Sequence, residues 1–266
     1  MVIVLRFTLG EPEETEPGLR PALTYFFCTE PETTSGEFRE RMYPLTEKIE
    51  NRAIIIIGAG HFGQRAAALL NSVPHTSLWI VDRDVTKLKK MGNVGAKRIG
   101  EDGVRFLAKH FSQLAPSTFI IPAVPVHLAF EWLRTYINEN GSVTQVPVPK
   151  SFSIRLPHPS AGSEGSLLAS VADFRCPDDC PEPANRCTVT GKARGTPLYR
   201  LLAETEPRGF HVHVIRSRQL APGVGGYRVR DLKELLEKVS EGRKGKWLVG
   251  TACKCHGIVT GLQVSR

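Results

Sequence analysis

No apolar run in this 266-residue chain approaches the ~18 residues that a membrane-crossing helix needs. The start, Met1-Val2-Ile3-Val4-Leu5-Arg6, runs into an acidic stretch without a small-residue cleavage site, so no secretory signal is read. A cytoplasmic location is therefore the expectation, and disulfides are not the default use of the six cysteines. Aromatic residues make up only 8% of the chain and do not alternate with basic ones in the manner that stacks bases. Nucleic acid is accordingly not expected as a partner. What is present suffices for a core: 41% of residues are hydrophobic, enough for one large domain or two modest ones.

The net charge of +8 is unevenly spread. Residues 1–41 hold eight Glu and four Arg, whereas the remainder has 31 basic against 19 acidic residues. A basic body of that kind attracts phosphorylated ligands. The acidic, proline-containing start is expected to be a poorly ordered extension, dispensable for folding, with Met42 as an alternative start.

The densest signal lies between residues 53 and 82. Ala53-Ile54-Ile55-Ile56-Ile57 reads as a buried strand and leads into Gly58-Ala59-Gly60-His61-Phe62-Gly63, which opens a helix through Leu70. A second strand, Leu78–Val81, ends at Asp82, 24 positions after the first glycine. That spacing matches a dinucleotide fingerprint. Gly58 permits a tight turn, Gly60 lets backbone approach a pyrophosphate, and Gly63 lets the helix pack on its strand. The helix start offers N–H groups and a positive dipole end to phosphate. Asp82 is placed to accept from ribose hydroxyls, which favours NAD. Arg83 beside it keeps NADP open, since a guanidinium can receive a 2′-phosphate.

Strand and helix then alternate to about residue 147, which predicts a parallel sheet covered by helices. The expected architecture is α/β: a doubly wound parallel sheet of Rossmann type at residues 42–150, then a smaller cysteine-bearing α/β region at 151–266. Residues 148–172, rich in Pro and Ser, read as a linker or loop. Strands are expected at 210–215, 246–250 and 257–262, with an amphipathic helix at 229–239.

Ile-Ile-Gly-Ala-Gly-His-Phe-Gly at 56–63 and Ile-Val-Asp-Arg-Asp at 80–84 resemble a TrkA-N-type nucleotide-binding domain of the Rossmann superfamily. The resemblance covers roughly residues 52–147. It implies NAD(H) or NADP(H) at Gly58, Gly60, Gly63 and Asp82, and His61, Phe62 and Arg83 beside them are further cofactor-binding candidates. The cysteine-bearing half does not match that family.

Five of the six cysteines fall in two tight groups: Cys176, Cys180 and Cys187, then Cys253 and Cys255. Thiolates are soft anionic donors that suit zinc and iron–sulfur clusters. Neither spacing is that of a standard zinc knuckle, and the proline-rich segment from Cys176 to Pro183 suits a wrapped cluster loop. An iron–sulfur centre is expected, with zinc and free or catalytic thiols as alternatives. The fourth ligand is either Cys253 or Cys255, and the other is a candidate reactive thiol. His127 follows the fourth strand, where the ligand crevice of such a sheet lies, and is a candidate proton donor against a solvent-facing histidine. Arg216-Ser217-Arg218-Gln219 with the glycines at 223–226 could bind an anion or be an ordinary turn.

These readings combine into an NAD(P)-linked redox protein, a possible oxidoreductase, with a cysteine metal centre. Its partners would be a dinucleotide and a small molecule or redox protein, with a homo-oligomer as an option and no membrane. The alternatives are a nucleotide-sensing module that binds NAD(H) without turnover, and a zinc-stabilised basic nucleic-acid binder.

Overall fold

The computed structural model describes residues 53–74, 76–92, 94–138, 142–241 and 245–265. The expected extension at 1–41, and Cys28 with it, lies outside the described residues. In chain order the elements are β1 Ala53–Ile57, α1 His61–Leu70, β2 Ser77–Val81, α2 Val85–Lys89, β3 Lys97–Ile99, α3 Gly103–His110, β4 Phe119–Pro122, α4 Leu128–Asn138 and β5 Ser142–Val146. There follow α5 Lys150–Ser153, β6 Ser160–Ala161, β7 Leu167–Ser170, α6 Leu198–Ala203, β8 Phe210–Arg216, β9 Arg218–Ala221, β10 Val224–Arg228, α7 Val229–Ser240, β11 Gly245–Ala252 and β12 His256–Ser265.

The fold is α/β with two mixed sheets. In the first, β3, β2, β1 and β4 lie side by side and parallel. The strand β10 then joins β4 antiparallel, and β9 pairs antiparallel with β10. The second sheet runs β6-β7-β12-β11-β8, with β5 also on β12, and only β8 and β11 pair in parallel.

Alternation of side chains explains why β1 is nearly all isoleucine. Ile55 and Ile57 enter one core cluster, and Ile54 and Ile56 enter another on the opposite face. A strand buried on both sides needs apolar residues at every position. Burying each such side chain fully stabilises by about 1.5–3 kcal/mol. The cluster around Ile55 and Ile57 also holds apolar residues of α3, α4 and α7 together with Trp247, Val249 and Leu262 of the second sheet. These three helices therefore form a layer between the sheets. The helices α1 and α2 cover the outer face of the first sheet, and α5 and α6 that of the second.

Four expectations need correction. The first sheet is mixed rather than wholly parallel, because no strand–helix unit follows β4 within it. Its next neighbour is the hairpin β9–β10 from far along the chain. The expected boundary near residue 150 does not fall between the sheets: β9 and β10 follow it yet complete the first, and β5 precedes it yet pairs with β12. Residues 148–172 are not a bare linker, since they carry α5, β6 and β7. The glycine segment at 223–226, read as either an anion site or an ordinary turn, is that hairpin: Gly225 and Gly226 pair with β9, and Arg218 binds Asp231 at 2.7 Å.

Candidate metal centre and nucleotide turn

The strand β1 delivers the glycine turn at the carboxyl end of the parallel strands. Gly58 has φ of +105°, and a Cβ there would lie 2.3 Å from the Ala123 carbonyl oxygen. A Cβ on Gly63 would lie 1.9 Å from the Gly58 carbonyl oxygen. Both glycines are thus demanded by sterics. Gly60 differs, because a Cβ there would meet nothing within 4 Å among the described residues. The helix α1 begins without a side-chain cap and without an acidic residue in its first turn. Phe62 packs against the outer core of the first sheet, whereas His61 is exposed. Asp82 accepts the Ala59 N–H at 2.7 Å and the Asp84 N–H at 2.8 Å, so its carboxylate braces the turn. Arg83 is exposed beside it.

His127 is not a proton donor at this crevice. It is buried, and its two ring nitrogens lie 2.9 Å from the Thr260 hydroxyl and 3.0 Å from that of Thr251. Burial holds its pKa down at about 3, so the ring is neutral.

The cysteines come from two places. The segment 176–194 leaves β7 and is fixed by backbone bonds, among them Cys187 N–H to Lys192 and Arg194 N–H to Asn185, both 2.9 Å. The second group is the turn between β11 and β12. The Cys176 thiol lies within electrostatic reach of three others: burial and then the Cys180, Cys255 and Cys187 thiols push it up to about 11. Cys187 is held below the usual thiol range by the backbone N–H and then the hydroxyl of Thr190. Burial raises Cys255, and the Arg194 guanidinium, which donates to its Sγ, opposes the rise. As placed, no three His, Cys, Asp or Glu side chains among the described residues already close round a single ion.

Cys253 is the more deeply buried of the two cysteines on that turn. It is buried, and its Sγ accepts the N–H groups of Cys255 at 3.3 Å and His256 at 3.4 Å. Burial pushes its thiol well up, so it is a poor thiolate and a turn-stabilising acceptor. Burial and hydrogen bonding thus differ between the two cysteines that spacing left equivalent.

The cysteine segment lies against the glycine turn. Asp178 Oδ2 is 3.0 Å from His61 Nε2, the Gly223 N–H donates to the Cys180 carbonyl at 2.9 Å, and Gln219 Nε2 donates to the same oxygen at 2.7 Å. Arg194, Glu182 and Asp178 are site residues that sequence reasoning missed. Their proximity comes from loop folding, for which no spacing signal exists.

A family described as "Uncharacterized protein, C-terminal domain" matches residues 129–265. The match takes in all five of these cysteines and leaves out the glycine turn. A protein of Archaeoglobus fulgidus, itself described as an uncharacterized protein, is similar at 28% identity over 224 residues, covering 79% of this chain and 98% of that protein. The resemblance to a TrkA-N domain is not upheld. The matching family is a different one and spans another part of the chain. The glycine signature that carried the likeness is shared by many unrelated nucleotide-binding proteins.

Proposed function

We propose, for a chain that belongs to the family described as "Uncharacterized protein, C-terminal domain", a redox function built on an iron–sulfur cluster held by Cys176, Cys180, Cys187 and Cys255. What supports it is the electrostatic coupling of the Cys176 thiol to those of Cys180, Cys187 and Cys255, which come from two separate segments. Four thiols gathered in a half-buried place repel one another once ionised, and a bound cationic centre removes that repulsion.

A dinucleotide at the glycine turn is the second half of the reading. In support, the order β3-β2-β1-β4, with the turn directly after β1, matches the first four strands of the 3-2-1-4-5-6 order of doubly wound nucleotide-binding sheets. Gly60 leaves its approach open, and the uncapped start of α1 faces the same place. NAD is favoured by Asp82. The cysteine segment packs on this turn through His61 and Asp178, so nucleotide and cluster would be neighbours. A hydride carries two electrons and one cluster takes one at a time, so turnover also needs a redox partner that accepts the remainder. The sensing alternative draws on the same His61–Asp178 contact, through which occupancy of one site would be felt at the other.

The test is protein purified without oxygen. Iron and sulfide in comparable amounts, with visible absorption lost in Cys255→Ser and kept in Cys253→Ser, is the expected result. Protein containing neither iron nor sulfide would sink the cluster. Catalytic oxidation of NADH with an added electron acceptor separates the enzyme from the sensor.

A further inference from the structure

Arg194 reaches into the cysteine quartet from the strand-like segment that also carries Cys187. Its backbone is pinned there by the 2.9 Å bond to the Asn185 carbonyl and by the bridge between Arg186 and Ala193. One guanidinium nitrogen, Nη1, donates to the Cys255 Sγ. The Nε–H is buried and has no acceptor among the described residues. A guanidinium always carries its charge, and a buried donor without an acceptor is costly. The donor set therefore fits a further sulfur acceptor beside Cys255. Glu182 is the opposing charge: its Oε1 accepts the Lys254 N–H at 2.7 Å, which ties it to the turn bearing Cys255.

We infer that Arg194 sets the reduction potential of the centre, its fixed charge and N–H groups stabilising the electron that the cluster takes up. This rests on the iron–sulfur reading above. The step is the uptake of one electron from an external reductant, with no bond made or broken and no proton moved. The cluster gains one negative charge. A neighbouring cation and hydrogen bonds to the sulfurs favour that more negative state, whereas a neighbouring carboxylate disfavours it. Arg194 is thus a positioning and tuning residue for the centre, and Glu182 pulls the other way.

The experiment is an anoxic potentiometric titration of the whole protein, followed by visible absorption and electron paramagnetic resonance. Iron and sulfide are measured in every sample. Arg194→Gln should make reduction about tenfold less favourable, which for one electron is a potential lower by about 59 mV. Glu182→Gln should shift the potential upwards. Arg194→Gln with full iron and sulfide and an unchanged potential overturns the inference while leaving the cluster reading intact. Should Arg194→Gln fail to load, Glu182→Gln decides: a rise supports the inference and an unchanged potential overturns it. Wild-type protein with zinc and no sulfide fails the cluster reading, and the inference falls with it.

Discussion

A Cβ on Gly63 would stand 1.9 Å from a backbone oxygen, while one on Gly60 would touch nothing within 4 Å among the described residues. These two glycines of one turn therefore predict opposite outcomes. Gly63→Ala forces helix and turn apart and should destabilise the fold by about 1–3 kcal/mol, as overpacking does. Gly60→Ala should leave the melting temperature nearly unchanged and weaken NAD binding measured by calorimetry, because the added methyl occupies the approach to the pyrophosphate. Equal NAD affinity in Gly60→Ala and wild type would remove the nucleotide from this turn. At this scale the sequence was informative wherever chemistry is local. The steric need for Gly58 and Gly63 follows from the strand–turn–helix connection. The choice between Cys253 and Cys255 does not, because it depends on which sulfur points into the core. The parts of Arg194, Glu182 and Asp178 depend on a loop whose path no periodicity records.

His127 ties the start of α4 to two strands of the second sheet, through Thr251 on β11 and Thr260 on β12. A neutral imidazole donates from one nitrogen and accepts at the other, so it satisfies both hydroxyls in a dry place. The consequence is a pH dependence with a defined sign. Burial lowers the native pKa to about 3, while the unfolded chain titrates near the ordinary 6.5. Above pH 6.5 neither state binds the proton, and the stabilisation is fully present. Between 6.5 and about 3 the unfolded chain takes up a proton that the native ring refuses, so stability falls as pH falls, by up to about 1.4 kcal/mol per unit. Urea unfolding at pH 7 and pH 5 should therefore show a larger loss in wild type than in His127→Gln, whose amide can serve both threonines without titrating. The same loss in both proteins would show that His127 does not carry this linkage. Elements with strong patterns were legible, including β1, α7 and the last two strands. Short or polar strands were not: β5 reads Ser-Val-Thr-Gln-Val, and β6 has only two residues, so each owes its existence to pairing with a neighbour.

Across the whole molecule, what joins the two sheets is contact between residues distant in sequence, and that was the least legible feature. Local patterning gave a domain boundary near residue 150, because proline and serine accumulate there and the alternation of strand and helix stops. Long-range pairing gives another division. The strand β4 has β1 on one side and β10 on the other, and β10 comes more than 100 residues later. A chain cut after residue 150 would leave Phe119, Ile120 and Ile121 on an unpaired edge, and all three are fully buried in the intact fold. An apolar edge of that kind invites association with other chains. The second piece would fare no better. It would lose β5 from β12, and it would lose the α3 and α4 side chains that share a core cluster with Trp247, Val249 and Leu262. Expressed separately, pieces 42–150 and 151–266 should be insoluble or lack a cooperative thermal transition, whereas both together in one solution should recover some native signal. A cooperative transition of 151–266 alone, near the melting temperature of the intact chain, would show that the cysteine-bearing half has its own core. In that event the neighbourhood of glycine turn and cysteine quartet would be a docking of two domains rather than a property of one core.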